Sequence, residues 1–194
     1  MIESKRAMRS RLTCLQPSLY GHRLIKSAKE NAVSESLDVL QKAHDLAFEL
    51  ELKYGCCPQC VLAAVKETVG GVTDETIKAS HGLSGGGGLM GQGACGALTG
   101  GLLALSTKRG RDADKLHKGR GISNFQIGRQ LVDKFASEFG GVTCEHLQHR
   151  FTGRTWDMWD PAEYKAFSQA RGEQCARATA LVTQWAVEIL TAQH

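Results

Sequence analysis

With 194 residues, 42% hydrophobic and 23% charged, the chain has an ordinary globular composition and enough length to bury a core without disulfide staples. Its net charge of +4 sits in residues 1–30, where seven basic residues face two acidic ones, leaving residues 31–194 at −1. A nucleic-acid footprint needs a basic face on the folded part, and a membrane helix needs ~18 uninterrupted apolar residues. Neither pattern occurs, nor does the apolar run of a secretory signal, so nucleic acid and membrane insertion are excluded and a cytoplasmic protein is expected. Residues 1–30 read as a basic N-terminal arm, which contains Cys14, and residues 31–194 as a single domain.

Helical patterns follow in order. Residues 34–54 carry Leu37, Leu40, Ala43, Leu46, Ala47 and Leu50 on one face, and Gly55 stops them. Pro58 fits the first position of a helix over 58–69, ended by Gly70 and Gly71. Thr73 caps a short helix to about residue 80. Seven glycines in residues 82–93 then form a loop. It leads into residues 94–105, where Gly96 and Gly100, four apart, leave room for another helix to approach, as expected of a buried central helix. After a charged connection, Ser123 and Gln126 form a capping-box pattern for a helix over 125–139. Thr143 caps another helix to about 150, and Asp160-Pro161 with Glu163 opens the next. A last amphipathic helix spans about 172–192. No strand is expected. The fold class is all-α, a compact bundle of about six to eight helices with the glycine-rich loop before its central helix.

Seven cysteines in a cytoplasmic chain point to metal binding or catalysis rather than to a disulfide framework. Four of them, Cys60, Cys95, Cys144 and Cys175, fall at predicted helix starts. Unpaired N–H groups and the helix dipole there favour negative charge, so lowered thiol pKa values are expected. Their separations match neither a zinc ribbon nor a ferredoxin run. Cys57 and Cys60 form a CxxC at a helix start, as in thiol–disulfide sites, but without the βαβ setting. The absence of CxxCH excludes covalent c-type haem.

The segment Cys95-Gly96-Ala97-Leu98-Thr99-Gly100 behind a glycine-rich loop, with Cys60 before it and Cys144 and Cys175 after it, resembles the C-GCAxxG-C-C family of redox-active proteins. The resemblance covers residues 35–192. It implies a small helical protein, often from anaerobes, whose signature cysteines are here Cys60, Cys95, Cys144 and Cys175. It also implies kinship with the iron–sulfur domain of split-Soret cytochrome c. Cys56 and Cys57, beside the first signature cysteine, are further candidates for its role.

Three functions are open. The first is electron transfer or storage through a [2Fe–2S] or [4Fe–4S] cluster on the four thiolates, with glycine-loop N–H groups donating to its sulfurs and a redox partner protein supplying electrons. The second is metal-free thiol–disulfide chemistry, by Cys57 with Cys60 or by Cys60 with Cys95. The third is an accessory subunit with structural zinc. No catalytic residue is assigned, whether the chain is an enzyme stays open, and a homo-oligomer is compatible with all three. Gly86, Gly88 and Gly91 match GxGxxG, but no strand precedes them and no P-loop lysine follows. His81, His146 and His149 are minor ligand candidates, and Trp156 and Trp159 read as packing or partner contacts.

Overall fold

The computed structural model describes residues 19–192, with side chains from Val33 onward. Cys14 and most of the basic arm lie outside the described residues. The chain divides into two compact units, Met1–Ser36 and Leu37–His194. In the first, the described backbone is helical and residues 33–36 are exposed.

Among the described residues there are eight α-helices and no strand: α1 (Leu19–Tyr54), α2 (Cys57–Val69), α3 (Asp74–Ala79), α4 (Gly96–Arg109), α5 (Ile122–Phe139), α6 (Cys144–Thr152), α7 (Pro161–Ala170) and α8 (Gln174–Thr191). The all-α bundle expected from the periodicities is therefore what the chain forms. None of the described helices is long and apolar enough to cross a membrane.

The core is built on α2, α4 and α8, each packed on the other two, with α5 laid against α4 and α8. Val61, Leu62 and Val65 of α2 meet Ala97, Leu98 and Leu105 of α4, and Val182, Ala186 and Val187 of α8 close the cluster. Small residues on α4 set the helix spacing. A Cβ on Gly96 would lie 2.8 Å from Pro58 Cδ, and one on Gly100 would lie 2.8 Å from Pro58 Cα. The start of α4 thus rests directly on the start of α2.

Several starts follow the sequence signals. Thr73 and Thr143 accept from the backbone N–H three residues on, and Asp160 accepts from Ala162 and Glu163. The capping box at Ser123 does not form. Instead α5 begins three residues before the expected start, at Ile122, after Gly121 in the left-handed region at φ 63°. Asn124, inside the first turn, donates to Gly121 O and reaches Ser106 Oγ on α4, so a tertiary contact replaces the local cap.

Candidate functional site

Four helix starts meet at one end of the core. Cys57 is the first residue of α2, Cys95 is the N-cap of α4, Cys144 is the first residue of α6 and Cys175 is the second of α8. All four line one small apolar cavity of about 20 Å³, together with Gly96, Leu147, Gln148, Phe167 and Ala178. Each of the four thiols lies close enough to the other three to act on their charge.

Backbone pairing aligns two of these corners. Ala94 and Thr143 form an isolated antiparallel bridge. Cys95 N–H donates to Val142 O at 2.8 Å, and Cys144 N–H donates to Gly93 O at 3.0 Å. Glu145 N–H donates to Gly91 O at 2.8 Å. The glycine loop therefore satisfies the first amides of α6 with its carbonyls. Its own N–H groups at Gly87, Gly88, Leu89, Met90, Gly91 and Gly93 are bonded within the loop. Those donors are accordingly spent, contrary to the expectation that they serve a cluster's sulfurs.

Cys60 is placed elsewhere. It is the fourth residue of α2, 4% exposed, and its thiol turns back to donate to Gly55 O at 2.9 Å. It lines a different, open groove with Cys56, and the charged groups that act on it are Glu51 first and then Cys56. The difference from the sequence reading has a local cause. Gly55 and Cys56 both adopt left-handed φ, 66° and 64°, so α2 starts at Cys57 rather than at Pro58. The helix-start position passes to Cys57, and Cys60 falls at the far end of the first turn. Cys56, the N-cap, lines both this groove and a second cavity beside the chamber.

Sequence reasoning missed three polar side chains here. Gln148 is 1% exposed; its Nε2 reaches Cys144 Sγ at 3.7 Å and Met158 Sδ at 3.5 Å, while its Oε1 accepts from Trp156 N–H at 2.8 Å. Arg171, half-buried in the turn between α7 and α8, acts electrostatically on Cys175. Glu51, near the end of α1, accepts from the Cys57 thiol at 3.4 Å. The only sequence signal was for Gln148, which stands one helical turn after Cys144. None of the three histidines lines the chamber. His146 Nε2 pairs with Phe139 O at 3.1 Å, and His81 lines an outer groove that contains Trp159. Trp159 Nε1 donates to Gly88 O at 2.9 Å, tying its loop to the glycine loop.

The electrostatics reverse the expectation of lowered thiol pKa values. Burial raises all four chamber thiols; the charge of Glu51 adds to the rise for Cys57 and Cys175, and repulsion from other chamber thiols adds for Cys57, Cys95 and Cys175. The N–H groups of Ala97 and Leu98 oppose the rise at Cys95 without overcoming it. Cys175, beside Arg171, is pushed up to about 11. Loss of hydration outweighs the helix dipoles because the wall is apolar. Cys56 and Cys60 are raised for the same reason.

All six described cysteines are free thiols. Among the described residues no group of three or more His, Cys, Asp or Glu side chains is arranged to hold a metal ion as it stands. The donor set nevertheless fits a thiolate-held group in kind. Four soft donors converge from rigid helix starts, and a buried oxygen of Glu51, beside them, has no hydrogen-bond partner.

Residues 55–189 match a family described as "Putative redox-active protein (C_GCAxxG_C_C)". No curated protein and no solved structure matches the chain.

Proposed function

We propose that this chain, which belongs to the C_GCAxxG_C_C family of redox-active proteins, holds an iron–sulfur cluster on Cys57, Cys95, Cys144 and Cys175 and serves in electron transfer or storage. The observation that carries this reading is the convergence of four thiols, from four separate helix starts, on one small apolar chamber. When bound, the cluster supplies one-electron chemistry. The chain's own residues supply the rest. The four cysteines give up their protons on ligation, which a cation makes favourable where burial alone does not. Gln148 Nε2 donates toward Cys144 Sγ, and such outer contacts tune a ligated sulfur. Leu147 and Phe167 keep water from the chamber, and Arg171 offsets thiolate charge.

A chamber of about 20 Å³ holds no more than about one water-sized group, so loading needs more room. A second cavity of about 60 Å³ shares Cys57, Cys144, Cys175 and Phe167 with it and can supply that room. Single-ion zinc is less well supported, because structural zinc sites ordinarily draw their cysteines in closely spaced pairs, whereas these four come from four separate helix starts. Metal-free thiol–disulfide exchange is also less well supported, because buried thiols with raised pKa values carry little thiolate at neutral pH.

The test is anaerobic purification from iron-replete cells followed by iron, sulfide and visible-absorbance analysis. Stoichiometric iron and acid-labile sulfide, with an absorbance bleached by dithionite, is the expected result. A colourless protein free of iron and sulfide overturns the reading, and stoichiometric zinc replaces it with the structural-metal alternative.

A further inference from the structure

Glu51 is buried deeply for a carboxylate, at 3% exposure, in the last turn of α1 before Gly55. Its Oε1 accepts from the Cys57 thiol at 3.4 Å, while its Oε2 is fully buried with no hydrogen-bond partner. An unsatisfied buried polar atom is expensive, and a buried carboxylate more so. A packing role alone would be met by an apolar side chain at no such cost.

The position of Glu51 relative to the thiols is specific. Two cavities share Cys57, Cys144 and Cys175 as wall. Cys95 lines only the chamber, whereas Glu51 lines only its neighbour. Glu51 therefore faces the three shared thiols from the cavity that Cys95 does not line. Arg171 also lines the second cavity and acts on the charges of both Glu51 and Cys175, and the Cys60 thiol lies near the same carboxyl while donating to Gly55 O, but neither bonds Oε2.

We propose that Glu51 is an oxygen donor to the metal centre, so that the centre has a mixed set of Cys57, Cys95, Cys144, Cys175 and Glu51. The inference rests on the iron–sulfur reading above. It explains why a carboxyl with a free oxygen is kept beside four thiols: a cation of the centre is the partner that Oε2 lacks, and carboxylate oxygen is an ordinary iron ligand. Ligation transfers the carboxyl proton to solvent and moves no electron.

The experiment is Mössbauer and EPR spectroscopy of the full chain, reconstituted anaerobically with isotopically enriched iron and sulfide, beside Glu51→Gln, whose side chain has nearly the same shape. The wild-type chain is expected to show one iron subsite with a higher isomer shift than the all-sulfur sites. That subsite is expected to disappear or shift in E51Q, with iron released to a chelator about tenfold faster. Only all-sulfur iron sites in the wild-type chain overturn the inference while leaving the cluster reading intact, and this holds even if E51Q fails to fold. The same spectra in both proteins overturn it as well. A wild-type chain that takes up no iron overturns both readings.

Discussion

The backbone N–H of Cys144 donates to the carbonyl of Gly93 at 3.0 Å, two residues before Cys95. Two corners of the chamber, far apart in sequence, are thus aligned by main-chain bonds rather than by their side chains. The arrangement depends on how closely the glycine loop folds against α6. Gly86 is where the loop comes against Cys144, with φ +79° and a site where a Cβ would lie 2.8 Å from Gly91 C and O and 3.0 Å from Cys144 Cβ.

Gly86→Ala is therefore expected to be destabilised by about 2–4 kcal/mol, from left-handed strain together with backbone overlap. Because the added Cβ also crowds Cys144 Cβ at 3.0 Å, metal uptake should fall as well. Urea unfolding and iron analysis of the reconstituted variant check both effects. A variant with wild-type stability and iron content would show that the loop does not position the chamber.

The same change elsewhere separates close approach from simple helix propensity. A Cβ on Gly100 would meet Pro58 Cα at 2.8 Å and Pro58 O at 2.9 Å, which are backbone atoms of α2. Gly100→Ala should lose about 1–3 kcal/mol even after the helix gains from alanine. Gly128, inside α5, faces only Leu102 Cδ2 at 3.2 Å, and Leu102 borders a cavity of about 430 Å³ into which it can move. Gly128→Ala should be neutral or up to about 1 kcal/mol more stable. Chemical denaturation of the pair checks the contrast in sign.

What the sequence made legible was local. The Thr73, Thr143 and Asp160 caps are read within four residues, and the Gly96–Gly100 pair announces close helix contact whatever the partner is. The identity of the first corner was not legible, because it turns on Cys56 taking a left-handed φ of 64°, which non-glycine residues seldom adopt. Glu51 was not legible either. In a helix with a clear apolar face it reads as a solvated charge, and only the packing of α1 near the start of α2 buries it. Gln148 shares α6 with Cys144 but is fixed by Met158 and Trp156 in the loop that follows, and Arg171 takes its role from Cys175 and Glu51 on other helices.

The raised thiol pKa values make the metal-free protein sensitive to alkali. Unfolded cysteines ionise near 9, whereas in the folded chain Cys175 ionises at about 11 and the other chamber thiols are also raised. Below the unfolded value both states hold their protons and stability is fully present. As pH rises from about 9 toward 11, the unfolded chain releases protons that the folded chain keeps, so stability is lost. For Cys175 alone the loss approaches about 2–3 kcal/mol. Urea titrations of reduced, metal-free protein between neutral pH and pH ~10.5 should show this fall, and Cys175→Ser should make it less steep, the other raised thiols keeping the remainder. Equal slopes in the two proteins would place the titrating groups elsewhere.

Cys57 and Cys60 provide the sharpest test of which thiols form the centre. Both are in the first turn of α2, so replacing either by serine alters the helix alike. Cys57 lines the chamber, whereas Cys60 donates to Gly55 O at 2.9 Å in a separate groove. A serine at 60 can still make that bond, so Cys60→Ser should lose no more than about 1 kcal/mol and keep its full iron content. A serine at 57 removes a soft ligand from the chamber and should lower iron affinity by more than about tenfold. Iron and sulfide content of the two variants, reconstituted side by side, is the measurement. The opposite ranking would move the first corner to Cys60 and require the chamber to rearrange on loading, since the two thiols open onto different cavities.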